Sequence, residues 1–207
     1  AGGTIGFELC RQALRYAPAK LVILDNHGTS LLYAEMAFRE LAGETRIVPI
    51  LGDVSDEDLL KQVFAEHRPQ GVLHAAAHKH VSQLESNLRE GIHTNLLGTL
   101  RLASAAARHG ADYFLLISTD KAVRPSSVMG ATKRVGEMLV QSLSKEHPRT
   151  RFMAVRFGNV LGSSGSVLKI FQDQINRGGP ITLTHPEMSR YFMTVEEAVQ
   201  LILHAST

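Results

Sequence analysis

Short apolar strands alternate with helices along this chain, and no other feature constrains its fold as strongly. Five runs rich in apolar and β-branched residues, at positions 20–25, 45–51, 71–74, 111–118 and 151–157, are separated by segments with helical patterning. Strands that alternate with helices build βαβ units, and βαβ units form a parallel sheet covered by helices on both faces. The sequence therefore predicts an α/β fold with a doubly wound parallel sheet.

The helical patterning defines both the helices and the domain organisation. The predicted helices cover positions 7–16, 30–41, 55–67, 81–109 and 130–144, and Ser55 is the expected N-cap of the third. Beyond position 158 the pattern loosens into glycine- and serine-rich loops with shorter elements. We therefore expect a core domain over residues 1–157 and a smaller, substrate-binding part over residues 158–207.

The chain opens on a glycine-rich turn, Gly2-Gly3-Thr4-Ile5-Gly6, directly before the first predicted helix. Glycines at such a turn let the backbone approach a pyrophosphate, which the N-terminus of the helix can then bind. A turn of this kind normally follows a strand. We therefore expect that a strand and a first glycine are missing from the start of this sequence. An ordinary glycine turn is the alternative interpretation.

Asp25 supports dinucleotide binding, because it ends the first predicted strand about 20 residues after the glycines, where a carboxylate can accept hydrogen bonds from ribose hydroxyls. The same charge would repel a 2′-phosphate, so NAD is favoured while NADP stays possible. Small or acidic residues also end the next two strands, namely Asp53, Val54, Ala75, Ala76 and Ala77. They would leave room for an adenine and its ribose, although a turn or plain packing explains them too. The predicted sheet is therefore Rossmann-like.

The composition excludes several classes of function. With 207 residues and 44% hydrophobic content, the chain can bury one sizeable core. Its net charge of +2 does not favour binding to nucleic acid. No apolar run approaches the roughly 20 residues of a membrane span. The single cysteine, Cys10, cannot form an internal disulfide and is expected to pack in the first helix. Three nearby histidines, His74, His78 and His80, lack a carboxylate or a cysteine to complete a site, so no metal is predicted.

The densest set of reactive groups lies between Ser118 and Lys133. Ser118-Thr119-Asp120-Lys121 follows a buried strand, and Met129 and Lys133 open the next helix. Open α/β sheets bind their ligands at the carboxyl ends of the strands. Two lysines near one aspartate can shift each other's proton affinities, as acid–base catalysis requires. A solvated, charged loop is the alternative interpretation.

Two later positions suit a nucleotide ligand. Asn159 lies in a loop of glycines and hydroxyls after the last core strand, where its amide could bind phosphate or sugar oxygens. Arg190 could clamp a diphosphate, because a guanidinium fork matches phosphate oxygens. A surface arginine is the alternative.

Six segments, at positions 2–6, 74–81, 118–123, 129–134, 156–163 and 184–193, together resemble one protein family. They are similar to the CapD-like polysaccharide-biosynthesis branch of the extended short-chain dehydrogenase/reductases, whose members are UDP-N-acetylglucosamine 4,6-dehydratases. The resemblance implies a UDP-sugar substrate, bound NAD(P) and a homo-oligomer. It also implies a cytoplasmic location, with the full-length protein anchored to the cytoplasmic face of the inner membrane through an N-terminal region.

The resemblance also assigns binding residues. It implies that the cofactor contacts Gly2, Gly3, Thr4, Ile5, Gly6, Asp25, Asp53, Val54, Ala75, Ala76, Ala77, Lys79, Asn95, Ser118 and Lys133. It implies that the nucleotide sugar contacts His80, Asn159, Val167, Thr182, Thr184 and Arg190.

The resemblance implies a reaction in which a hydride moves from C4 to C6 of the sugar through the cofactor while water is lost. Lys121 would be the base at C5, with its pKa lowered by burial and by Lys133, and Asp120, held protonated, would be the acid at C6. Thr119 or Ser118 would relay the proton of the C4 hydroxyl.

Met129 departs from the pattern of the wider superfamily, which has a tyrosine four residues before the lysine. A thioether has no proton to exchange, so the usual base is absent. Two rival interpretations stay open. One is a nucleotide-sugar epimerase on the same fold, which would not need the Asp120–Lys121 pair. The other is a non-catalytic NAD-binding regulatory module, in which Met129 marks lost catalysis.

Overall fold

The computed structural model describes residues 1–163, 165–183 and 185–206, and it contains all five predicted core strands. These strands are β1 (Lys20–Asp25), β2 (Arg46–Leu51), β3 (Gly71–His74), β4 (Tyr113–Thr119) and β5 (Arg151–Phe157). Every pairing among them is parallel. The predicted α/β class with a parallel sheet is confirmed.

The sheet is divided between β1 and β3. β1 pairs with β2, whereas β3, β4 and β5 form a separate sheet with β4 in the middle. Residues 21–24 of β1 and all of β3 line opposite sides of an apolar cavity of about 200 Å³. One more parallel strand in this gap would give the strand order of a Rossmann fold. The gap therefore lies where the strand expected from the glycine turn belongs.

Most helices form close to their predicted positions. They are α1 (Thr4–Ala13), which continues as a 3₁₀ turn, α2 (Gly28–Leu41), α3 (Glu57–His67) and α7 (Val128–Glu146). The predicted N-cap of α3 is wrong. Asp56 caps this helix by accepting hydrogen bonds from the backbone N–H groups of Asp58 and Leu59. Ser55 instead donates to Asp53.

The long helix predicted at positions 81–109 is also wrong as a single element. It is broken into α4 (Val81–Ser86), α5 (Leu88–Glu90), a π-helical segment (Gly91–Gly98) and α6 (Thr99–Arg108). The wider turns of a π-helix shift the side chains that follow, and such segments often occur at functional sites.

β4 lies between two hydrophobic cores. Phe114 and Leu116 pack on one face against α3, α6 and α7. Leu115 and Ile117 pack on the opposite face against α1 and the last helix. Successive side chains of a strand point to opposite faces, so helices cover this sheet on both sides and the doubly wound arrangement is confirmed.

After β5, the described residues form β6 (Asn159–Val160), α8 (Val167–Asn176), β7 (Phe192–Met193) and α9 (Val195–Ser206). β6 and β7 make a short parallel pair. Val199 and Ile202 of α9 belong to the core cluster that contains Leu9 of α1. α9 thus packs with the core, although the predicted boundary placed it in the smaller part. In the described residues no helix is long and apolar enough to cross a bilayer.

Candidate active site

The end of β4 brings four predicted residues together. Thr119 ends the strand, and Asp120 begins a 3₁₀ turn. The Thr119 hydroxyl donates to Asp120 Oδ1 at 2.9 Å. Lys121 Nζ donates to Asp120 Oδ1 at 3.1 Å and to Asn159 Oδ1 at 3.0 Å. These contacts bring together four side chains that the sequence analysis singled out, and their catalytic roles stay predictions.

Asp120 is ionised in this arrangement. Partial burial would raise the pKa of its carboxyl group, but hydrogen bonds from Lys121 and Thr119 outweigh burial and lower the pKa below its usual value. The prediction that Asp120 is held protonated is wrong for the site as the structure has it. The resting state is an ion pair between Asp120 and Lys121.

Helix α7 begins unusually close to this turn. A Cβ atom on Gly130 would lie 2.4 Å from the carbonyl oxygen of Lys121, so glycine alone permits the approach. Ser127 caps the helix by accepting a hydrogen bond from the backbone N–H of Gly130. Met129 is buried in this first turn.

Lys133 lies one turn further along α7. Its Nζ donates to the carbonyl oxygen of Ile117 at 2.8 Å, and its side chain is buried. Burial lowers the pKa of Lys133 to about 8, against the opposing attraction of Glu137. A lysine with this pKa can change its protonation state near neutral pH.

Ser118 is not free to relay a proton. It is 3% exposed, and its hydroxyl donates to Glu137 Oε1 at 2.6 Å. It also does not line the cofactor cavity described below. Of the two hydroxyls considered for the relay, Thr119 is the one whose oxygen contacts Asp120.

Glu137 itself was missed by the sequence analysis. It accepts hydrogen bonds from Arg156 and Arg134 as well as from Ser118. The available signal was its position, because a carboxylate four residues after Lys133 falls on the same, buried face of the helix.

A second cavity, of about 350 Å³, lies beside the N-terminus of α1 at the carboxyl ends of β1, β2 and β3. Most of the predicted cofactor residues line it, namely Gly2, Gly3, Gly6, Asp25, Asp53, Val54, Ala75, Ala76 and Ala77. Sequence reasoning missed Ser30 and Thr94, which also line it. The structure therefore gathers residues from five separate segments at one site.

The glycine turn fits a dinucleotide. Gly2 N donates to Asp25 Oδ2 at 2.7 Å, and a Cβ atom on Gly2 would lie 2.4 Å from the Cβ of Ser30. The turn can therefore hold no side chain at this position, and its backbone leads directly into α1. Ile5 was predicted to contact the cofactor, but its side chain packs into the core beside Leu9. Thr4 begins α1.

Both carboxylates of the cavity are ionised. Burial opposes ionisation of Asp25, but hydrogen bonds from the backbone N–H groups of His27 at 2.9 Å and Gly2 at 2.7 Å favour the ionised carboxylate and lower its pKa. Burial opposes ionisation of Asp53 in the same way, and hydrogen bonds from Ser55 and Asn26 lower its pKa. Ionised carboxylates accept hydrogen bonds from hydroxyls and repel phosphates.

Asn95 links the loop after β3 to helix α7. It is 1% exposed, and its Oδ1 accepts from His78 N at 2.8 Å. Its Nδ2 donates to His78 O and to Thr132 Oγ1, each at 3.0 Å. Both amide hydrogens are used inside the chain, so Asn95 positions the loop after β3 rather than facing the cavity. Lys79 follows His78 on the exposed side of that loop and does not line the cavity.

The predicted substrate residues are only partly gathered. Asn159 contacts Lys121, and its backbone N–H donates to Tyr191 O at 3.0 Å, which brings the segment after Arg190 to this edge. A Cβ atom on Gly165 would lie 2.5 Å from the ring of His80, so these two loops touch.

The remaining predicted substrate residues are exposed. Val167 begins α8, Thr182 accepts a hydrogen bond from Gln174, and Arg190 donates to Ser189 O. The structure does not bring these three side chains to the Asp120–Lys121 pair. Thr184 lies outside the described residues.

Burial strongly shifts the pKa values of two other titratable candidates, His74 and Cys10. His74 is buried against Thr99, and burial lowers its pKa to about 3. Cys10 packs in the first helix as predicted, and burial raises the pKa of its thiol to about 11. Within the described residues no three or more histidine, cysteine or acidic side chains form a group that could hold a metal ion.

A glycine-lined cavity beside a helix N-terminus, at the carboxyl edge of a parallel sheet, is typical of a Rossmann-like dinucleotide-binding domain. The chain belongs to the polysaccharide biosynthesis protein family, which it matches over residues 1–207. The resemblance stated from the sequence motifs is confirmed.

Two curated relatives show the range of this similarity. The capsular polysaccharide biosynthesis protein CapD of Staphylococcus aureus is 48% identical over 207 residues, which cover 99% of this chain and 34% of CapD. A UDP-glucose 4-epimerase of Rickettsia rickettsii is 37% identical over 157 residues, which cover 75% of this chain and 46% of the epimerase. The chain thus spans between a third and a half of the length of these relatives.

Solved structures share the fold. Pen from Bacillus thuringiensis superposes with a TM-score of 0.90 at 33% identity, covering 99% of this chain and 62% of Pen. The dTDP-glucose 4,6-dehydratase DesIV from Streptomyces venezuelae, solved as a double mutant with NAD bound, gives a TM-score of 0.83 at 21% identity over 97% of this chain and 68% of DesIV.

Proposed function

We propose that this chain is the catalytic domain of a nucleotide-sugar 4,6-dehydratase that converts UDP-N-acetylglucosamine to a UDP-4-keto-6-deoxy sugar for surface polysaccharide synthesis. The observation that carries the proposal is the contact of Lys121 Nζ with Asp120 and Asn159 at the end of β4. A paired acid and base of this kind is what removal of water from a sugar needs. The 48% identity to a capsular polysaccharide biosynthesis protein supports the same conclusion.

The cofactor of the proposed reaction is NAD. Its pyrophosphate would lie on the Gly2–Gly3 backbone at the start of α1, and Asp25 would accept hydrogen bonds from the adenosine ribose. The ionised Asp25 disfavours a 2′-phosphate, which supports NAD over NADP. When bound, NAD would supply a hydride acceptor and then a hydride donor.

The resting ion pair must be converted before it can act. A base at C5 has to be a neutral amine, and an acid at C6 has to be a protonated carboxyl. One proton transfer along the 3.1 Å hydrogen bond from Lys121 Nζ to Asp120 Oδ1 produces both at once. A substrate that displaces water from this half-exposed pair would favour the neutral form, because burial disfavours charges.

The neighbouring residues complete the proposed site. Thr119 would pass the C4 hydroxyl proton on, since its hydroxyl already contacts Asp120. Lys133 would bind the nicotinamide ribose. Met129 can only pack, because a thioether exchanges no proton. The homo-oligomer, the membrane anchor and the cytoplasmic location implied by the resemblance stay predictions.

An epimerase on the same fold is the second candidate, and the relative named UDP-glucose 4-epimerase favours it. Simple epimerisation at C4 needs no acid and base over C5 and C6. The Asp120–Lys121 contact therefore favours the dehydratase.

Incubation of the full-length protein with UDP-N-acetylglucosamine and NAD tests the proposal, with mass spectrometry of the nucleotide sugar as the readout. We expect a product lighter by one water. A product of unchanged mass with inverted C4 would establish the epimerase. No turnover, together with retained NAD binding, would establish the non-catalytic module.

A further inference from the structure

Glu137 is a buried carboxylate that the proposed reaction leaves without a role. Its side chain is 7% exposed, and it is held by donors from three elements. Ser118 of β4 donates to Oε1 at 2.6 Å, and Arg156 of β5 donates to Oε1 at 2.7 Å and to Oε2 at 2.5 Å. Arg134 on the same helix donates to Oε2 at 3.0 Å.

Two residues of α7 hold the end of β4 in place. Lys133 binds the carbonyl oxygen of Ile117, and Glu137, one turn later, binds the hydroxyl of Ser118. The next three residues of β4 and its turn are Thr119, Asp120 and Lys121. The proposed catalytic residues therefore follow directly after the two residues of β4 that α7 holds by hydrogen bonds.

The same carboxylate also fixes β5. Ser118 and Arg156 are partners in the parallel register, so Glu137 binds both members of one strand pair. Three residues after Arg156, Asn159 accepts the hydrogen bond from Lys121. Both oxygens that hold Lys121 are thus carried by strand ends anchored on Glu137.

We propose that Glu137 is a positioning residue: it sets the spacing between Lys133 and the Asp120–Lys121 pair, and its negative charge keeps Lys133 protonated. The inference rests on the proposed function for the catalytic part. For the charge it rests on the position of Glu137 one turn after Lys133, on the same buried face of α7. A carboxylate that served only packing would be a poor choice here, because burying an ion costs more than burying an apolar side chain of similar size.

The charges around the two residues support this role. Hydrogen bonds from Arg156, Ser118 and Arg134 overcome the effect of burial and lower the pKa of Glu137 to about 2, so it stays ionised. Its charge opposes the effect of burial on the pKa of Lys133. Among the described residues, His74 of β3 also interacts with Lys133, and it stays neutral at physiological pH and adds no charge. Glu137 is therefore the anion that acts on Lys133.

The test uses the full-length protein with ¹³C at the lysine ε-carbon, whose chemical shift reports protonation of the amine. The chain has seven lysines, and Lys133→Arg assigns the signal of Lys133. In Glu137→Gln, which keeps an oxygen acceptor but loses the charge, we expect the titration midpoint of Lys133 to fall by at least about 0.5 pH unit. An unchanged midpoint would overturn the electrostatic part of the proposal.

Turnover tests the positioning part. Glu137→Gln and Ser118→Ala are each expected to lower kcat by at least about 10-fold while NAD affinity changes by less than about 3-fold. Ser118→Ala should leave the Lys133 midpoint in place, because the charge remains. Arg134→Met is the matched control, since it removes a donor to Glu137 without touching either strand, and its kcat should be close to that of the wild type.

The variants also separate the two proposals. Wild-type kcat in Ser118→Ala would refute the positioning role even if Glu137→Gln does not fold. If the wild-type protein does not turn over UDP-N-acetylglucosamine at all, the proposed function fails, and the Lys133 titration still decides the role of Glu137.

Discussion

Lys121 is held between the carboxylate of Asp120 and the amide oxygen of Asn159, and this geometry makes a direct prediction about catalysis. Lys121→Ala and Asp120→Asn are each expected to lower kcat by at least about 10²-fold, because each removes one half of the acid–base pair. NAD affinity should change little, since neither residue lines the cofactor cavity. Steady-state kinetics and NAD titration measure both quantities.

Lys145→Ala provides the control for charge removal, because Lys145 is exposed near the far end of α7. It should turn over like the wild type. Near-normal turnover in Lys121→Ala or Asp120→Asn would refute the role assigned to that residue.

His74 predicts a pH dependence of stability. Its pKa is lowered from 6.5 to about 3 by burial, so the unfolded chain binds this proton more tightly than the folded chain. The contribution of His74 to the free energy of unfolding is therefore complete above pH 6.5 and is lost as the pH falls towards 3. Between pH 7.5 and 5 the loss is about 2 kcal/mol.

Urea unfolding at these two pH values checks the prediction. His74→Gln does not titrate and can still bond Thr99, so its stability should fall less between pH 7.5 and 5. His185→Gln, at an exposed histidine, should fall as much as the wild type. An equal fall in all three proteins would show that His74 is not the group responsible.

Single residues were predictable where a motif or a strand end marks them. Asp25, Asp120 and the glycines follow from their position at predicted strand ends. The role of Glu137 and the use of both Asn95 amide hydrogens inside the chain could not be predicted from the sequence. Both depend on contacts between elements far apart in the sequence. The ionisation of Asp120 could not be predicted from the sequence either, since it depends on the hydrogen bond from Lys121 Nζ.

At the scale of the element, the start of α7 depends on Gly130. A Cβ atom there would meet the backbone oxygen of Lys121 at 2.4 Å, and a backbone atom cannot give way as a side chain can. Gly130→Ala is therefore expected to destabilise the protein by about 1–3 kcal/mol and to lower kcat by displacing the helix from the turn.

Gly136→Ala on the same helix is the matched control. Its Cβ would meet Leu116 at an ordinary 3.5 Å, and alanine favours the helix by up to about 1 kcal/mol over glycine. Thermal unfolding and kcat of the two variants test the contrast. Equal stabilisation by both alanines would contradict the close approach at Gly130.

The strands and helices were predicted well where hydrophobic periodicity determines the type of element. They were predicted poorly where the pattern of backbone hydrogen bonds determines it. All five core strands formed within two residues of their predicted limits. The π-helical segment Gly91–Gly98 was missed because its apolar pattern resembles that of an α-helix. The packing of α9 against α1 was not predicted, because a sequence pattern shows that a face is apolar but not which surface covers it.

At the scale of the whole molecule, the gap between β1 and β3 predicts how a longer protein differs from this chain. We expect a parallel strand to fill the gap and to bond the inward-facing backbone groups of both strands. Hydrogen exchange of the β1 and β3 amides should then be slower in the full-length protein by at least about 10-fold. Equal exchange in the two proteins would mean that the cavity stays open.

The two-sided packing of β4 has a consequence for how this protein changes over time. Each substitution in that strand disturbs one hydrophobic layer, and the next position along disturbs the other. Because both faces of β4 are buried, a substitution at any of these positions is expected to destabilise the protein. We therefore expect β4 to be the most slowly diverging strand of the fold and the last to lose its amide protons, which gives the reactive groups at its tip the steadiest support that the molecule has.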